Sequence, residues 1–193
     1  MPMQQSERAI FFKGFLQRPT QVGSVIPSSR FLEQRLVEFA GVRTAKTVVE
    51  LGSGTGGTTR ALLRAMPSDA KLLSLEINPE FYALTRRIHD PRLIPWLGSA
   101  EDLRATMDRH ELAAADAVIS GIPFSTMDDA IAARVLQAVS AALAPGGCFV
   151  AYQVRRRVEV LSRPYFGKPL VAIELLNIPP IWVYRWQKKP AEV

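Results

Sequence analysis

A single cysteine, Cys148, excludes an internal disulfide. It lies in an apolar, strand-like stretch, where the expected role is a buried core thiol and not a nucleophile. No apolar run approaches the roughly 20 residues that a membrane-spanning helix needs. The N-terminus lacks a basic start followed by a continuous apolar stretch and a small-residue cleavage site, so no secretory signal is expected and a cytoplasmic location follows. There is no internal repeat and no low-complexity segment. Histidine occurs only at His89 and His110, both in helical or linker patterns that read as surface. No residues stand at metal-ligand spacing, so no metal is expected.

What is present suits one globular domain. A chain of 193 residues falls within the roughly 100–200 residues of a single domain. At 48% hydrophobic and 22% charged residues it can build its own core. The net charge is +6, a balance that favours polyanions, either nucleic acid or an anionic membrane.

Short apolar, β-branched stretches predict strands over Thr47–Leu51, Lys71–Leu75, Leu93–Leu97, Ala117–Ser120, Cys148–Val154, Leu170–Leu176 and Ile181–Trp186. Helical patterns fill Thr58–Met66, Pro79–Ile88 and Asp128–Leu143, the last ending at the stop signal Ala144-Pro145-Gly146-Gly147. Strand–helix alternation argues for right-handed crossovers and a parallel sheet. Only Asn177–Pro180 separates the last two strands, which predicts an antiparallel hairpin. Two more helices, Gln5–Gln17 and Ser28–Ala40, precede the first strand.

Val48-Val49-Glu50-Leu51-Gly52-Ser53-Gly54-Thr55-Gly56-Gly57 sets a glycine-rich turn between a strand and a helix, where the backbone can approach a ligand closely. The spacing Gly52, Gly54, Gly56 is not the dinucleotide fingerprint. Glu50 would repel a pyrophosphate but suits a sulfonium and an amino group. Glu76 ends the second strand, about 20 residues past the turn, where an acid accepts hydrogen bonds from ribose hydroxyls. Gly98-Ser99-Ala100-Glu101 follows the third strand and can read an adenine amino group. Asp116-Ala117-Val118-Ile119-Ser120-Gly121-Ile122-Pro123-Phe124 brings a polar, proline-containing loop to the same edge of the sheet.

On these residues the sequence resembles the class I S-adenosylmethionine-dependent methyltransferases over most of residues 46–187. The resemblance implies an α/β, Rossmann-like fold with a seven-stranded, mostly parallel sheet, an antiparallel C-terminal hairpin and N-terminal helices. Residues 1–45 would form a helical cap and 46–193 the catalytic core of one structural domain. It further implies that Glu50, Gly52, Ser53, Gly54, Thr55 and Gly56 line the methionine portion. Glu76 would hold the ribose and Glu101 would lie near the adenine, with Ile77, Ser99 and Ala100 as further cofactor contacts. Gly23, Ser24 and Ser120 complete the expected cofactor contacts, with S-adenosylhomocysteine as the product.

Phe11-Phe12-Lys13-Gly14-Phe15-Leu16-Gln17-Arg18-Pro19-Thr20-Gln21-Val22-Gly23-Ser24-Val25-Ile26-Pro27-Ser28-Ser29, together with the glycine turn and Ser120–Phe124, resembles the small bacterial phospholipid N-methyltransferases. That resemblance implies methylation of the phosphatidylethanolamine head-group amine and of its mono- and dimethylated products, towards phosphatidylcholine. The place of action would be the inner face of the cytoplasmic membrane, with the protein a peripherally attached monomer that needs no stable protein partner. The ribosomal RNA adenine dimethylases are similar in outline but carry an Asn-[Leu/Ile]-Pro-[Tyr/Phe]-like loop, where this chain has Ser-Gly-Ile-Pro-Phe. An RNA adenine methyltransferase is therefore the alternative enzyme, and a non-catalytic cofactor- and membrane-binding module is the alternative from another class.

For the acceptor side, Ser120, Gly121 and Tyr152 are the expected catalytic residues, orienting the amine or contacting a methylated ammonium. Phe11, Phe12 and Phe15, with Arg8, Lys13 and Arg18 beside them, form an interfacial helix or pack over the cleft. Ile122 and Pro123 are expected at the acceptor. The arginine run Arg155-Arg156-Arg157, followed by Arg163, Tyr165 and Lys168, comes after the fifth strand. Arg157, Arg163 and Lys168 are expected either to bind a lipid phosphate or to form a solvated connection, and Tyr165, like Tyr152, to contact a methylated ammonium through its ring face.

Overall fold

The computed structural model describes residues 29–189. The expected helix over 5–17, with Phe11, Phe12 and Phe15, and the loop through Gly23 and Ser24 lie outside the described residues.

The described chain runs α1 (Arg30–Ala40), β1 (Thr47–Leu51), α2 (Gly57–Ala65), β2 (Lys71–Glu76), α3 (Pro79–Thr85), β3 (Leu93–Leu97), a 3-10 turn (Ala100–Asp102), α4 (Leu103–Arg109), β4 (Ala115–Ser120), α5 (Asp129–Ala142), β5 (Leu143–Gln153), α6 (Arg157–Phe166), β6 (Leu170–Glu174) and β7 (Ile181–Gln187). The seven strands form one sheet in the order β3-β2-β1-β4-β5-β7-β6. β1 to β5 are parallel, and β7 lies antiparallel between β5 and β6. The expected Rossmann-like architecture with a reversed C-terminal hairpin is thus present.

Strand residues alternate between two buried layers. Val48, Leu72, Ala117, Ile119 and Val150 pack against Leu32, Leu36 and Val37 of α1 and Leu62 and Leu63 of α2. Val49, Leu51, Leu73, Leu75, Val118 and Phe149 face Leu103 and Met107 of α4, Val135, Leu136 and Val139 of α5 and Val158 of α6. Because its inner face is part of the first layer, α1 belongs to the core. Cys148 is buried, donates to the Ala40 carbonyl at 3.4 Å, and has its thiol pKa pushed up by burial.

Several elements differ from the sequence expectation. α4 and α6 were not anticipated: α4 is a short helix showing only Leu103, Thr106 and Met107 inward. α6 starts inside the arginine run and holds Pro164 within it. β5 begins at Leu143, because Pro145–Gly147 is not a break but an irregular extended stretch. Leu143 registers with Ala115, and the register shifts before Ala117 meets Cys148. β6 stops at Glu174, whose carboxylate accepts the Leu176 N–H at 3.0 Å and turns the chain. His110 is not a surface residue but half-buried, edge-on to Trp96 with ring centroids 5.1 Å apart.

The carboxyl end of α2 is closed by a side chain. Arg92 donates to the carbonyls of Leu63 (2.7 Å), Met66 (2.9 Å) and Pro67 (3.2 Å), and Asp90 holds its guanidinium. Those carbonyls have few other donors at a helix end. Arg92→Ala is expected to lower stability by about 2–3 kcal/mol, read as a fall in the urea midpoint at unchanged slope.

Candidate functional site

Four loops meet at the carboxyl edge of the parallel strands. The first is the glycine turn after β1. Gly52, Gly54 and Gly56 all have positive φ, at 82°, 51° and 81°. A Cβ on Gly54 would enter open space, so the turn presents bare backbone to whatever lies beside it. The turn is tied to β2: the Gly52 N–H donates to the Leu75 carbonyl at 2.8 Å, and the Gly54 N–H to the Glu76 carboxylate at 3.0 Å. Ser53 and Thr85 share a 2.7 Å hydroxyl bond that fastens the turn to α3.

Two acids underlie this turn. Glu76 also accepts the N–H groups of Ile77 and Asn78, each at 2.9 Å. Burial raises its pKa, and these backbone donors pull it back. Ile77, the next residue, is exposed and apolar just beyond the end of β2. Glu50 is 1% exposed. One of its oxygens accepts from the Thr59 and Ser74 hydroxyls, both at 2.7 Å, and the other is buried with no partner. Burial pushes its pKa up to about 7, against the lowering effect of those two hydroxyls.

Beyond β3, Ser99 caps the 3-10 turn by accepting the Glu101 N–H at 3.2 Å. Glu101 is held by Arg134 from α5 at 2.5 Å, and Ala100 is buried beneath them.

The loop after β4 touches the glycine turn. The Gly121 N–H donates to the Leu51 carbonyl at 2.9 Å, and a Cβ on Gly52 would contact Ile122. A Cβ on Gly121 would lie only 2.9 Å from the Tyr152 ring carbon and closer still to its hydroxyl. Gly52, Gly121, Ile122 and Tyr152 are therefore brought together. The Ser120 hydroxyl is different. It is fully buried and accepts the Ile122 N–H at 3.3 Å, so it shapes the turn and does not face an acceptor.

Sequence reasoning missed how this loop is held. Gln153 donates to the Ile122 carbonyl at 2.6 Å. Arg157 donates to the carbonyls of Ser125 (3.2 Å) and Met127 (3.1 Å) and pairs with Asp129. Phe124 is fully buried in the core. Arg157 is thus a clamp on the loop and not a free phosphate ligand. The missed signals were polar residues at inward strand positions, Ser74 in β2 and Gln153 in β5.

The other basic residues leave the edge. α6 is about 15 Å long at its helical rise and descends from Gln153. The Trp186 indole donates to the Gly167 carbonyl at 3.3 Å, and Trp186 registers with Phe149. Arg163, Tyr165 and Lys168 therefore sit well below the reactive edge, contrary to expectation. Tyr165 packs on the core and Arg163 pairs with Glu159.

The site offers bare backbone, an unpaired buried carboxylate oxygen, a second acid and an apolar platform at one strand edge. That donor set fits a cationic, ribose-bearing cofactor such as S-adenosylmethionine. The chain is 29% identical over 180 residues to an ornithine lipid N-methyltransferase from Singulisphaera acidiphila, covering 91% of this chain and 93% of the relative. Among solved structures it resembles the O-methyltransferase TomG from Streptomyces achromogenes in complex with S-adenosylmethionine, with a TM-score of 0.67, 16% identity, and coverage of 84% of this chain and 82% of that one. It also resembles the N-methyltransferase NodS from Bradyrhizobium japonicum in complex with S-adenosylhomocysteine, with a TM-score of 0.60, 12% identity, and coverage of 83% and 89%. The family model described as a methyltransferase domain matches residues 48–147, the stretch that carries all four loops up to the start of β5, and the chain belongs to that methyltransferase family.

Proposed function

We propose that this chain methylates the head-group amine of a phospholipid, phosphatidylethanolamine and its mono- and dimethylated products, at an anionic membrane surface. The methyl donor is S-adenosylmethionine. The observation that supports a lipid acceptor is the end-to-end similarity to a protein whose substrate nitrogen is carried on a lipid. Among the described residues no helix is long and apolar enough to cross a membrane, so attachment would be peripheral. The aromatic segment at Phe11, Phe12 and Phe15 is proposed to contribute to it, with the protein working as a monomer.

Each residue has a part in this reading. Glu50 would oppose the positive charge of the cofactor, the open side of Gly54 would admit its methionine portion, and Glu76 would hold the ribose. Ile77 and Ser99–Glu101 would bound the adenine. When bound, S-adenosylmethionine supplies an electrophilic methyl carbon on a sulfonium. The acceptor nitrogen attacks through its lone pair and so must be neutral. Ile122, Pro123 and the Tyr152 ring exclude water beside Gly121, and desolvation lowers an amine's pKa. The face of Tyr152 suits the ammonium product of each transfer, which must release a proton before its nitrogen can accept another methyl group. Positioning within about 3–3.5 Å is then the main task of the pinned loop.

The test is transfer from radiolabelled S-adenosylmethionine, offered vesicles containing phosphatidylethanolamine, vesicles containing ornithine lipid, and total RNA in parallel. Label is expected in phosphatidylethanolamine. Label in RNA alone, or in ornithine lipid alone, would overturn the proposed acceptor. Gly54→Val puts a β-branched side chain on left-handed backbone and into the open side of the turn, and transfer to every acceptor is expected to vanish.

A further inference from the structure

We propose that the tip of the β6–β7 hairpin is a membrane-docking element that seats the reactive edge on an anionic bilayer. The proposal deepens the lipid reading above and rests on it for its purpose.

The connection Leu175-Leu176-Asn177-Ile178-Pro179-Pro180 inverts the usual arrangement of a turn, whose side chains are ordinarily polar and face water. Its polar groups point inward and are satisfied. Asn177 is buried, accepts the Ser29 N–H at 3.0 Å and donates to the Pro179 carbonyl at 3.0 Å. Glu174 is buried, accepts the Leu176 N–H and pairs with Arg35 of α1 at 2.9 Å. The apolar side chains point outward: Leu175 is 66% exposed, Leu176 61% and Ile178 87%. A turn anchored this firmly on its polar side holds those three side chains out in a fixed cluster, and an exposed apolar cluster marks an interaction site.

Charge around the tip selects the partner. Arg30 follows Ser29 at one side. Exposed Val154 and Arg155 follow Gln153, which registers with Trp182 at the start of β7. The Arg156 guanidinium lies over the Trp182 ring, 4.9 Å from its centroid. The nearby acids are paired within the fold, Glu174 with Arg35 and Glu33 with Arg64, while Glu159 is shared by Arg156 and Arg163, which leaves one positive charge in excess there. An apolar tip ringed by arginines, with a tryptophan at its shoulder, fits the acyl–headgroup boundary of an anionic leaflet.

Position gives this surface its use. β6 runs parallel to β5, so the tip projects from the same edge of the sheet as Ser120 and Gly121. Two to three strand spacings, about 10–15 Å, separate it from the end of β4. A protein seated on this tip would hold the acceptor loop at the level of the lipid headgroups.

The test uses the full-length protein and co-sedimentation with vesicles of equal parts phosphatidylcholine and phosphatidylglycerol, or of phosphatidylcholine alone. Wild type is expected to bind the anionic vesicles more tightly. The variant Leu175→Ser/Leu176→Ser/Ile178→Ser is expected to bind them at least about tenfold more weakly, with an unchanged unfolding temperature because all three side chains are exposed. The single variant Ile178→Glu is expected to act in the same direction. Leu170→Ser, an exposed apolar residue at the other end of β6, is expected to bind as wild type does. Unchanged binding by the triple variant, or an equal loss in Leu170→Ser, would overturn the proposal. Transfer to a monomeric short-chain phosphatidylethanolamine separates the two readings. A triple variant that fails on vesicles but methylates this acceptor supports docking through the tip. A wild type that docks through the tip and methylates no lipid would overturn the acceptor reading and leave docking standing.

Discussion

Glu50→Gln is expected to make the cofactor-free protein more stable at pH 8 and to weaken cofactor binding at the same pH. The carboxyl's pKa is raised from 4.5 to about 7 in the fold, so the native state prefers it protonated. Its contribution to stability is fully present below pH 4.5 and is lost as the pH rises through 7. Above that the fold carries an ionised buried carboxylate, at a cost of about 3 kcal/mol. Glutamine has the same shape, and its carbonyl can still accept from Thr59 and Ser74. The stability difference between variant and wild type should therefore grow by about 2–3 kcal/mol between pH 5 and pH 8, measured by urea unfolding.

Cofactor binding should move the other way. On the proposed reading the ionised carboxylate would provide the counter-charge, so wild-type affinity is expected to rise as the pH passes through 7. The variant should show a flat profile and, at pH 8, affinity lower by at least about tenfold. A variant that is more stable yet binds the cofactor as wild type does would remove Glu50 from the site. Retaining a costly buried acid at the floor of the turn is the stability–function trade expected where charge serves binding.

Sheet and helices were legible where periodicity was strong. β1 and β3 have the bounds that the apolar runs predict: β1 is a central parallel strand buried throughout and must be apolar on both faces, and β3 is a half-exposed edge strand that keeps an apolar run. α4 was not legible because seven residues with three inward positions barely form a periodic pattern. The arginine run was misread because a strand pattern gives no information on the direction of the chain beyond its end. Only the helix that begins at Arg157 shows that Arg163 and Lys168 are carried away from the edge. The glycine turn was legible because backbone geometry demands glycine there. The support beneath it was not, since Thr59, Ser74 and Thr85 belong to different elements and become a network only when those elements pack.

The loop after β4 is the part of the site in which stability and chemistry should separate most clearly. Phe124→Ala is expected to lower stability by about 3–5 kcal/mol, because a fully buried aromatic leaves a cavity that the sheet and α5 cannot close. For a chain of this size that is a fall of about 10 °C in the unfolding temperature. The glycine turn is bonded directly to β2, through Gly52 to Leu75 and Gly54 to Glu76, and touches the loop that carries Phe124 at Gly121 and Ile122, so below the transition cofactor affinity should stay within about tenfold of wild type. Methyl transfer should not, since a displacement of about 1 Å at a reacting centre costs about a hundredfold in rate. Arg157→Ala releases the same loop at the Ser125 and Met127 carbonyls. It should reproduce the kinetic loss with a smaller cost in stability, about 1–3 kcal/mol. Lysine at this position should restore little, because two carbonyls and a carboxylate need the arginine fork. Equal loss of cofactor affinity and turnover in both variants would mean that the loop supports the whole edge. A selective loss of turnover would assign it to the acceptor side of the site alone.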